Sequence, residues 1–342
     1  MMHDKDKTNH LTRRQFIGAT AAAGLGLTLS SCATSNQPFD PKGLSTRQLG
    51  QMGIQVPLLS YGLGNRWMMQ DEQTGLDALL HAYENGVFYW DTAPTYNFEK
   101  KYYSEERIGQ VLPERRQNVF LVTKIRDRDP DAAKKTIETS LKRLNTDYID
   151  LLHVHSIQSV KDAESIGRPG QILDLLKHYK SEGIVKHIGF TGHRSAKAMK
   201  RVIELNDLEA MMIAMNHADH LSWGNIQDAN FEELAVPFAA QKNMGLIAMK
   251  VIRPRETVQG LTVDNLVRYA LSYNEFATAV ISMQTKNEVD ENLSIIRNFE
   301  PLEAETMNEL RATLEPFYQG KHLDWMHFRY VDGLSGNRRR FA

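Results

Sequence analysis

Short apolar segments alternate with longer amphipathic segments along most of this chain, and this alternation limits the fold more than any other feature. Seven predicted helices are each followed within a few residues by a predicted strand, an order that implies parallel strands. With a further strand predicted at residues 56–63 the count reaches eight, and eight such units over at least about 250 residues are typical of a closed (β/α)8 TIM barrel of the α/β class. An open, doubly wound sheet is the alternative architecture. The predicted strands are 56–63, 87–91, 119–124, 149–155, 187–191, 211–216, 246–250 and 278–281, and the predicted helices are 71–84, 104–112, 131–144, 170–182, 196–206, 231–242, 263–273, 288–296 and 303–317.

The composition is that of a single large domain. The chain has 342 residues, of which 42% are hydrophobic, and this is enough to bury one core without disulfides or metal ions. Segments 45–50 and 53–56 predict a short hairpin ahead of the barrel, and no shift in composition marks a second domain, so we expect the barrel domain at residues 43–342. Lys and Arg number 41 against 42 for Asp and Glu, a balance that argues against nucleic acid as a partner.

Residues 1–31 have the features of an export signal. Thr12-Arg13-Arg14-Gln15-Phe16-Ile17 resembles a twin-arginine motif, and a Gly- and Ala-rich apolar run follows at residues 16–29. That run is too short to span a membrane and is typical of the apolar region of a signal peptide. We therefore expect residues 1–31 to be a twin-arginine signal peptide, which directs the protein into a bacterial cell envelope.

The end of that signal resembles a bacterial lipobox. It reads Leu29-Ser30-Ser31-Cys32, and in such motifs the cysteine becomes the lipidated first residue. Stable anchoring takes more than one acyl chain, and lipoproteins of this kind carry three. We expect Cys32 to hold the protein on the periplasmic side of a membrane, with residues 32–42 as a polar tether; an ordinary cleavage site with an incidental cysteine is the alternative. Because Cys32 is the only cysteine, the domain lacks the thiolates that an iron–sulfur cluster needs.

Four polar residues lie where successive predicted strands end. Asp91 closes the second predicted strand, Tyr96 lies in the loop after it, Lys124 closes the third strand and His155 closes the fourth. In barrels of this type, catalytic residues come from the carboxyl ends of several strands. Each residue alone has an ordinary structural explanation, but their occurrence at three successive strand ends predicts one common site.

These residues and their surroundings resemble the aldo-keto reductase family. Asp91-Thr92-Ala93 with Tyr96, Val122-Thr123-Lys124 and Asp150-x4-His155 match the family's tetrad in residue type, order and spacing. The resemblance includes residues 104–109 and 147–151 and a late Glu-Asn pair, so it covers nearly all of the chain after the tether. It implies the (β/α)8 fold, a small-molecule aldehyde or ketone that is reduced to an alcohol, and a nicotinamide cofactor, NADP with NADPH preferred and NAD as the alternative.

The resemblance implies a role for each of the four residues, and elementary chemistry agrees with it. Reduction of a carbonyl needs a hydride, which nicotinamide supplies, and a proton, which Tyr96 would donate. A free tyrosine titrates near pH ~10, and the ammonium group of Lys124 would lower that pKa because it favours the phenolate. Asp91 would hold Lys124 charged and in place, and His155 would orient the substrate oxygen through a hydrogen bond.

The family's cofactor-binding residues match this sequence less completely than its tetrad does. The family often places Ser-Asn after its fifth strand to hold the carboxamide; here Thr191 stands for the serine and the asparagine is absent. Asn216 stands at the end of the sixth strand, where a glutamine is common. Glu291 and Asn292 match the adenine-side motif, and Lys286 is the candidate partner of a 2′-phosphate. The candidate cofactor-binding residues are therefore Asp91, Thr191, Asn216, Lys286, Glu291 and Asn292.

Two other functions stay open at this point. His153 and His155 lie on one face of a strand, and with His187 and His217 they could bind zinc in a metal-dependent hydrolase, although the tyrosine and the lysine would then have no role. The second alternative is a non-catalytic envelope binding protein that kept the barrel. The intact tetrad argues against it, since a protein without catalysis has no need of all four groups.

The substrate itself is not identified by the sequence. Trp67 and Trp223 lie in predicted loops after strands. They either line an aromatic substrate pocket or pack within those loops.

The export signal has a consequence for the cofactor. Twin-arginine systems move folded proteins, and free NADPH is expected in the cytoplasm, so we expect the protein to be exported with its nicotinamide cofactor bound. A bound cofactor supports a single turnover unless it is re-reduced in place, and the sequence holds no redox centre for that step. The prediction therefore requires either a redox partner outside this chain or oxidoreductive cycling on one substrate pair.

Overall fold

A computed structural model describes residues 39–99, 101–193, 195–216, 231–252 and 260–318, with side chains up to residue 313. All of these residues belong to one compact unit, Gln37–Ala342. The expected signal peptide at residues 1–31, Cys32 with most of the tether, His217 and Trp223 lie outside the described residues. Within the described part, no helix combines the length and the apolar character needed to cross a membrane.

Eight parallel strands form a closed barrel in the order β3-β4-β7-β8-β9-β10-β11-β12, and the last of these strands pairs with the first. This confirms the (β/α)8 prediction and excludes the open sheet. The strands are β1 Thr46–Gln48, β2 Gln55–Pro57, β3 Leu59–Gly62, β4 Tyr89–Asp91, β5 Asn97–Phe98, β6 Tyr102–Tyr103, β7 Phe120–Ile125, β8 Ile149–Ile157, β9 Val185–Gly192, β10 Ala210–Ala214, β11 Gly245–Met249 and β12 Phe276–Ile281.

The helices surround the barrel and bury their apolar faces against it. They are α1 Asn65–Met68, α2 Glu72–Glu84, α3 Ser104–Gly109, α4 Pro130–Leu144, α5 Val160–Ser165, α6 Ile172–Ser181, α7 Ala196–Leu205, α8 Phe231–Gln241, α9 Val263–Leu271, α10 Lys286–Arg297 and α11 Ala304–Tyr318, with 3-10 turns at Gly50–Met52 and Pro113–Asn118. Helix α4 illustrates how the sequence sets their ends. The Asp129 side chain accepts from the Ala132 amide with Pro130 at the first helical position, and Asn145 ends the helix at φ 51°.

Alternate strand residues build two separate cores. Side chains that point inward, such as Tyr89, Phe120 and Leu151, pack inside the barrel, and their neighbours on the same strands, such as Trp90 and Leu121, pack against the helices. The inner core fills the lower part of the barrel, so the polar side chains discussed below lie above a packed apolar floor.

The strand predicted at residues 56–63 is wrong as one element, because the structure divides it at Pro57. Residues Gln55–Pro57 pair antiparallel with β1, which confirms the predicted hairpin, and Leu59–Gly62 enter the barrel. A proline has no N–H to donate to a strand ladder, so it belongs at a strand end. Leu49 and Val56 of the hairpin pack among the inner core residues and close the amino-terminal end of the barrel.

Four short elements were not predicted from the sequence. They are the two-residue strands β5 and β6, which form an antiparallel pair, and the helices α1 and α5. Each is too short to show a hydrophobic period, so tertiary contacts rather than local pattern determine them.

Candidate active site

Asp91 and Lys124 form a buried ion pair at the carboxyl ends of adjacent strands. Asp91 ends β4 and pairs in register with Val122 of β7, which brings the two side chains to the same side of the barrel wall. The Lys124 Nζ atom donates to Asp91 Oδ1 at 2.6 Å and to the Thr92 carbonyl at 2.8 Å. The side chains are only 1% and 4% exposed, so the carboxylate is the nearby counter-charge that this buried ammonium requires.

The loop that carries Tyr96 is held by hydrogen bonds at both ends. The Thr92 amide donates to the Val122 carbonyl at 2.8 Å, and the Ser104 amide donates to the Tyr96 carbonyl at 2.9 Å. The Ser104 hydroxyl donates to the Leu63 carbonyl at 2.7 Å and lies 2.9 Å from the Thr92 hydroxyl. Ser104, which opens α3, therefore fixes the loop and the position of the tyrosine.

Tyr96 lies between the ion pair and His155. Its ring centroid is 4.9 Å from Lys124 Nζ and 6.4 Å from the His155 ring centroid, with the two rings edge to face. A Cβ atom on Gly64 would lie 3.7 Å from the tyrosine ring, so the Gly64 backbone passes beside the tyrosine at a distance that leaves room for a methyl group. The structure thus brings all four predicted catalytic residues, Asp91, Tyr96, Lys124 and His155, into one cluster.

A local irregularity positions His155. The register between β8 and β9 shifts between Val154 and Ile157, and Ser156 takes a left-handed conformation at φ 57°. The Arg128 Nη2 atom donates to the His155 carbonyl at 3.0 Å, while its Nε donates to Asp162 at 2.9 Å. Bulges of this kind often re-aim a side chain next to an active site.

His153 lies in the layer just below the site. It pairs in register with Lys124 on one side and Gly189 on the other. Burial, reinforced by the charges of Lys124 and His155, holds the pKa of His153 well below its usual range. Neither ring nitrogen of His153 has a hydrogen-bond partner among the described residues.

The zinc site considered for the metal-dependent hydrolase is not favoured by this arrangement. His187 lies near the start of β9, at the opposite end of the strands from His155, and its Nδ1 atom is 2.6 Å from Glu209 Oε1. His217 is outside the described residues. Among the residues that are described, no group of three or more His, Cys, Asp or Glu side chains could hold a metal ion.

His193 belongs to the same mouth of the barrel, although the sequence did not single it out. It follows β9 directly, is 3% exposed, and its ring centroid lies 6.5 Å from that of His155. The signal that could have indicated it is its position, two residues after Thr191 and directly after the end of the strand.

The residues expected to contact the nicotinamide lie on neighbouring strand ends. Thr191 is fully buried, and its hydroxyl accepts from the Ser156 amide at 2.7 Å. Asn216 follows β10, is 1% exposed, and donates to the Lys250 carbonyl at 3.2 Å. Both therefore support the backbone around the mouth of the barrel through these contacts.

The residues expected on the adenine side lie on α10, which is separate from this cluster. Lys286 is exposed, with Nζ 3.8 Å from Asp77 Oδ2, and Glu291 is exposed as well. Asn292 is buried and donates to the Glu288 carbonyl at 2.7 Å. Of these three side chains, only that of Asn292 is buried.

The residues present fit an adenine nucleotide cofactor. Within the described part of the chain, three buried polar atoms lack a hydrogen-bond partner at this side of the barrel: Asn65 Oδ1 after β3, Ser282 Oγ after β12, and Asn292 Oδ1 on α10. A buried polar atom without a partner is costly. The two amide oxygens can accept from an amino group, and the serine hydroxyl can donate to a phosphate, so a bound nucleotide would relieve that cost.

Trp67 does not line a pocket. It is fully buried on α1, its Nε1 donates to the Gly75 carbonyl at 2.9 Å, and the Arg107 guanidinium lies 4.9 Å from its ring. Ordinary packing is therefore the correct interpretation of this residue, and the other tryptophan in question, Trp223, is outside the described residues.

Comparison with known proteins links this geometry to one family. The profile of the Aldo/keto reductase family matches residues 60–254, a segment that includes all four residues of the cluster.

Individual relatives agree with that match. L-galactose dehydrogenase from Arabidopsis thaliana is 23% identical over 324 residues, which cover 82% of this chain and 97% of the relative. An aldo-keto reductase from Schizosaccharomyces pombe, whose name includes NADP(+), is 27% identical over 187 residues, or 50% of this chain and 52% of that protein. The solved holo form of an aldo-keto reductase from Bacillus halodurans has a TM-score of 0.64 at 21% identity and covers 82% of this chain and all of that one.

Proposed function

Because the chain belongs to the aldo/keto reductase family and is an NAD(P)-dependent oxidoreductase, we propose that it reduces an aldehyde or ketone to the alcohol with Tyr96 as the proton donor. The observation that carries this proposal is the position of Lys124 Nζ, 2.6 Å from Asp91 Oδ1 and 4.9 Å from the tyrosine ring centroid. A hydrogen-bonded ammonium beside a tyrosine in a buried site has a direct use in acid catalysis.

In this proposal the nicotinamide, when bound, supplies the hydride that reaches the carbonyl carbon. The Tyr96 O–H bond breaks as its proton moves to the carbonyl oxygen, and solvent later restores the proton. The Lys124 ammonium stabilises the phenolate that is left behind, and Asp91 keeps that ammonium charged and in place. His155 donates to the substrate oxygen, which fixes its direction and spreads the negative charge that develops there.

For the cofactor we propose NADPH, held by the adenine-side residues Asn292 and Lys286. An exposed ammonium at the start of the twelve-residue helix α10 combines with the helix dipole to favour a phosphate. The relative from Schizosaccharomyces pombe carries NADP(+) in its name, which supports the same choice. Loss of NADPH selectivity over NADH in a Lys286→Gln variant is the expected result, and an unchanged ratio of dissociation constants would count against Lys286.

The central test is the Tyr96→Phe variant with Tyr102→Phe as its control. Loss of one general acid typically lowers turnover by ~10²–10⁴-fold, so Tyr96→Phe should lose carbonyl reduction and retain NADPH binding, measured by fluorescence titration. Tyr102 is 48% exposed and its variant should retain both. Wild-type turnover in Tyr96→Phe would exclude this tyrosine from the chemistry.

The place of action proposed from the sequence is the periplasmic side of a bacterial envelope, reached by twin-arginine export and kept there by lipid on Cys32. The twin-arginine motif and the lipobox support it. The Cys32→Ala variant should leave the membrane fraction or keep its signal, and mass spectrometry that finds an unmodified mature amino terminus elsewhere would exclude lipidation. Purification of the mature form with bound nucleotide would support export of the loaded enzyme, whose cofactor would then need either a redox partner outside this chain or oxidoreductive cycling on one substrate pair.

A further inference from the structure

A cleft of about 670 Å³ opens beside the loop that carries Tyr96. Its walls come from Pro94 and Thr95 of that loop, from Tyr103 of β6, from the segment that follows β7, and from one face of α4. From its lining we infer that this cleft binds an anionic group of the carbonyl substrate, a carboxylate or a phosphate. This inference rests on the proposed function, which it makes more specific.

Positive charge dominates the lining. Arg126, Arg128, Lys135 and Arg143 contribute four cations, against the single carboxylate of Asp127. The chain as a whole has a formal net charge of −1, so this concentration of positive charge beside the proposed site is local and does not follow from the overall composition. A cleft lined by one sign of charge raises the local concentration of ligands of the opposite sign.

Arg128 and Arg143 are held by contacts with neighbouring side chains. Arg128 is bound to Asp162 at 2.9 Å. Arg143 lies 3.5 Å from the Tyr103 ring centroid and 3.3 Å from Glu106. These contacts make both guanidinium groups rigid parts of the wall, and their charges are largely balanced there.

Arg126 and Lys135 are the cations best placed to meet a ligand. Both are exposed, and both line the cleft from different elements, one from the loop after β7 and one from α4. The Asp127 Oδ2 atom accepts from the Thr136 hydroxyl at 2.7 Å, which ties the cleft's one carboxylate to the helix. An arginine and a lysine that converge from two sides are suited to a carboxylate or phosphate group.

The position of Arg126 connects the cleft to the proposed chemistry. Arg126 directly follows Ile125, the last residue of β7, and the cleft that it lines is also lined by Thr95, the residue before Tyr96. An anion bound in the cleft would therefore lie beside the loop that places Tyr96. The substrates that fit are small carbonyl compounds with a carboxylate or phosphate at the far end of the molecule, and simple neutral aldehydes lack that group.

Matched aldehydes test this directly. In the first pair, 4-carboxybenzaldehyde is the charged aldehyde and benzaldehyde the neutral one. In the second pair, succinic semialdehyde is the charged aldehyde and butanal the neutral one. Each compound is assayed with NADPH on the full mature protein. The variants are Arg126→Gln and Lys135→Gln, and the control is Lys134→Gln, since Lys134 is an exposed lysine next to Lys135 on α4 that does not line the cleft. Inorganic phosphate serves as a competitor that lacks a carbonyl group.

We expect the wild type to prefer the carboxylated member of each pair in kcat/KM. Each cleft variant should lower that value by about three- to tenfold, since one exposed charge-assisted contact is lost. The change should appear in KM, the neutral aldehydes should be unaffected, and Lys134→Gln should match the wild type. Phosphate should compete with the carboxylated aldehydes and weaken as a competitor in the cleft variants.

Three results would overturn the inference. Equal use of charged and neutral aldehydes, with no effect of the variants, would show that the cleft takes no part in substrate binding. Phosphate binding that depends on Arg126 without competing with the carboxylated aldehydes would assign the cleft to a free anion. Reduction of none of the aldehydes, despite NADPH binding, would reject the proposed function and the inference with it, whereas the first two results leave the proposed function intact.

Discussion

The buried carboxyl group of Glu105 should make the stability of this barrel depend on pH near neutrality. Glu105 lies on α3 and is fully buried, with Oε1 accepting from the Thr123 hydroxyl at 2.8 Å. The Arg143 guanidinium is 4.0 Å from Oε2, too far for a hydrogen bond. Burial raises the pKa of Glu105 from its ordinary 4.5 to about 7, in spite of Thr123, Ser140, Arg143 and Lys124, which all act to lower it.

The sign and size of the effect follow from that pKa. Between pH 4.5 and 7 the folded protein holds a proton that the unfolded chain has released, so the free energy of unfolding falls as the pH rises through this window and stays lower above it. Each unit of difference between the pKa in the folded protein and the pKa in the unfolded chain corresponds to about 1.4 kcal/mol of unfolding free energy. Between pH 5 and pH 8, ionisation of Glu105 should therefore remove about 2 to 3 kcal/mol of stability.

The Glu105→Gln variant removes the titration and keeps the acceptor for Thr123. The free energy of unfolding of the variant and of the wild type is measured in urea at pH 5 and pH 8. The amount by which the variant exceeds the wild type should be about 2 to 3 kcal/mol larger at pH 8 than at pH 5. Glu106→Gln is the matched control, since Glu106 is the next residue and its side chain is 49% exposed. A difference between Glu105→Gln and wild type that stays constant over this range would refute the reasoning.

Two further changes test the packing around the site. Asp91→Asn leaves the buried Lys124 ammonium without its counter-charge and should lower the free energy of unfolding by about 3–5 kcal/mol, a loss that urea titration would detect and that an unchanged midpoint would contradict. Gly189→Ala would place a Cβ atom 2.6 Å from His153 Nδ1 and should cost about 1–3 kcal/mol through overpacking; Gly64→Ala, where the nearest atom is 3.7 Å away, is the control that should unfold at nearly the wild-type urea concentration.

The barrel could be predicted from the sequence because parallel strands require a crossover between them, and the crossover helices leave a regular alternation of patterns. The tetrad cluster could be anticipated for the same reason, since the ends of successive parallel strands must meet at one face of the barrel. The suggested zinc ligand His187 instead lies near the start of β9, at the opposite face of the barrel, where it contacts Glu209.

Other features depend on contacts between distant parts of the chain and could not be predicted. Glu105 looked like an ordinary acidic residue in the first turn of a helix, and its burial depends on Thr123 and Arg143, which belong to later elements. The cleft is formed by four separate segments, and none of them is unusual by itself. Trp67 is buried because its indole N–H donates to the Gly75 carbonyl and the Arg107 guanidinium packs over its ring.

The hairpin that closes the bottom of the barrel makes folding wait for the end of synthesis. Arg47 donates to the carbonyls of Leu271 and Phe276, which lie 224 and 229 residues later in the chain, so this contact cannot form until nearly the whole domain has left the ribosome. Contacts between such distant residues slow folding, and until they form, Leu49 and Val56 have no core in which to pack. Under the proposed twin-arginine export, which moves folded proteins, closure of the barrel would set the earliest moment of departure, and a mutation at Arg47 would delay export without changing the signal.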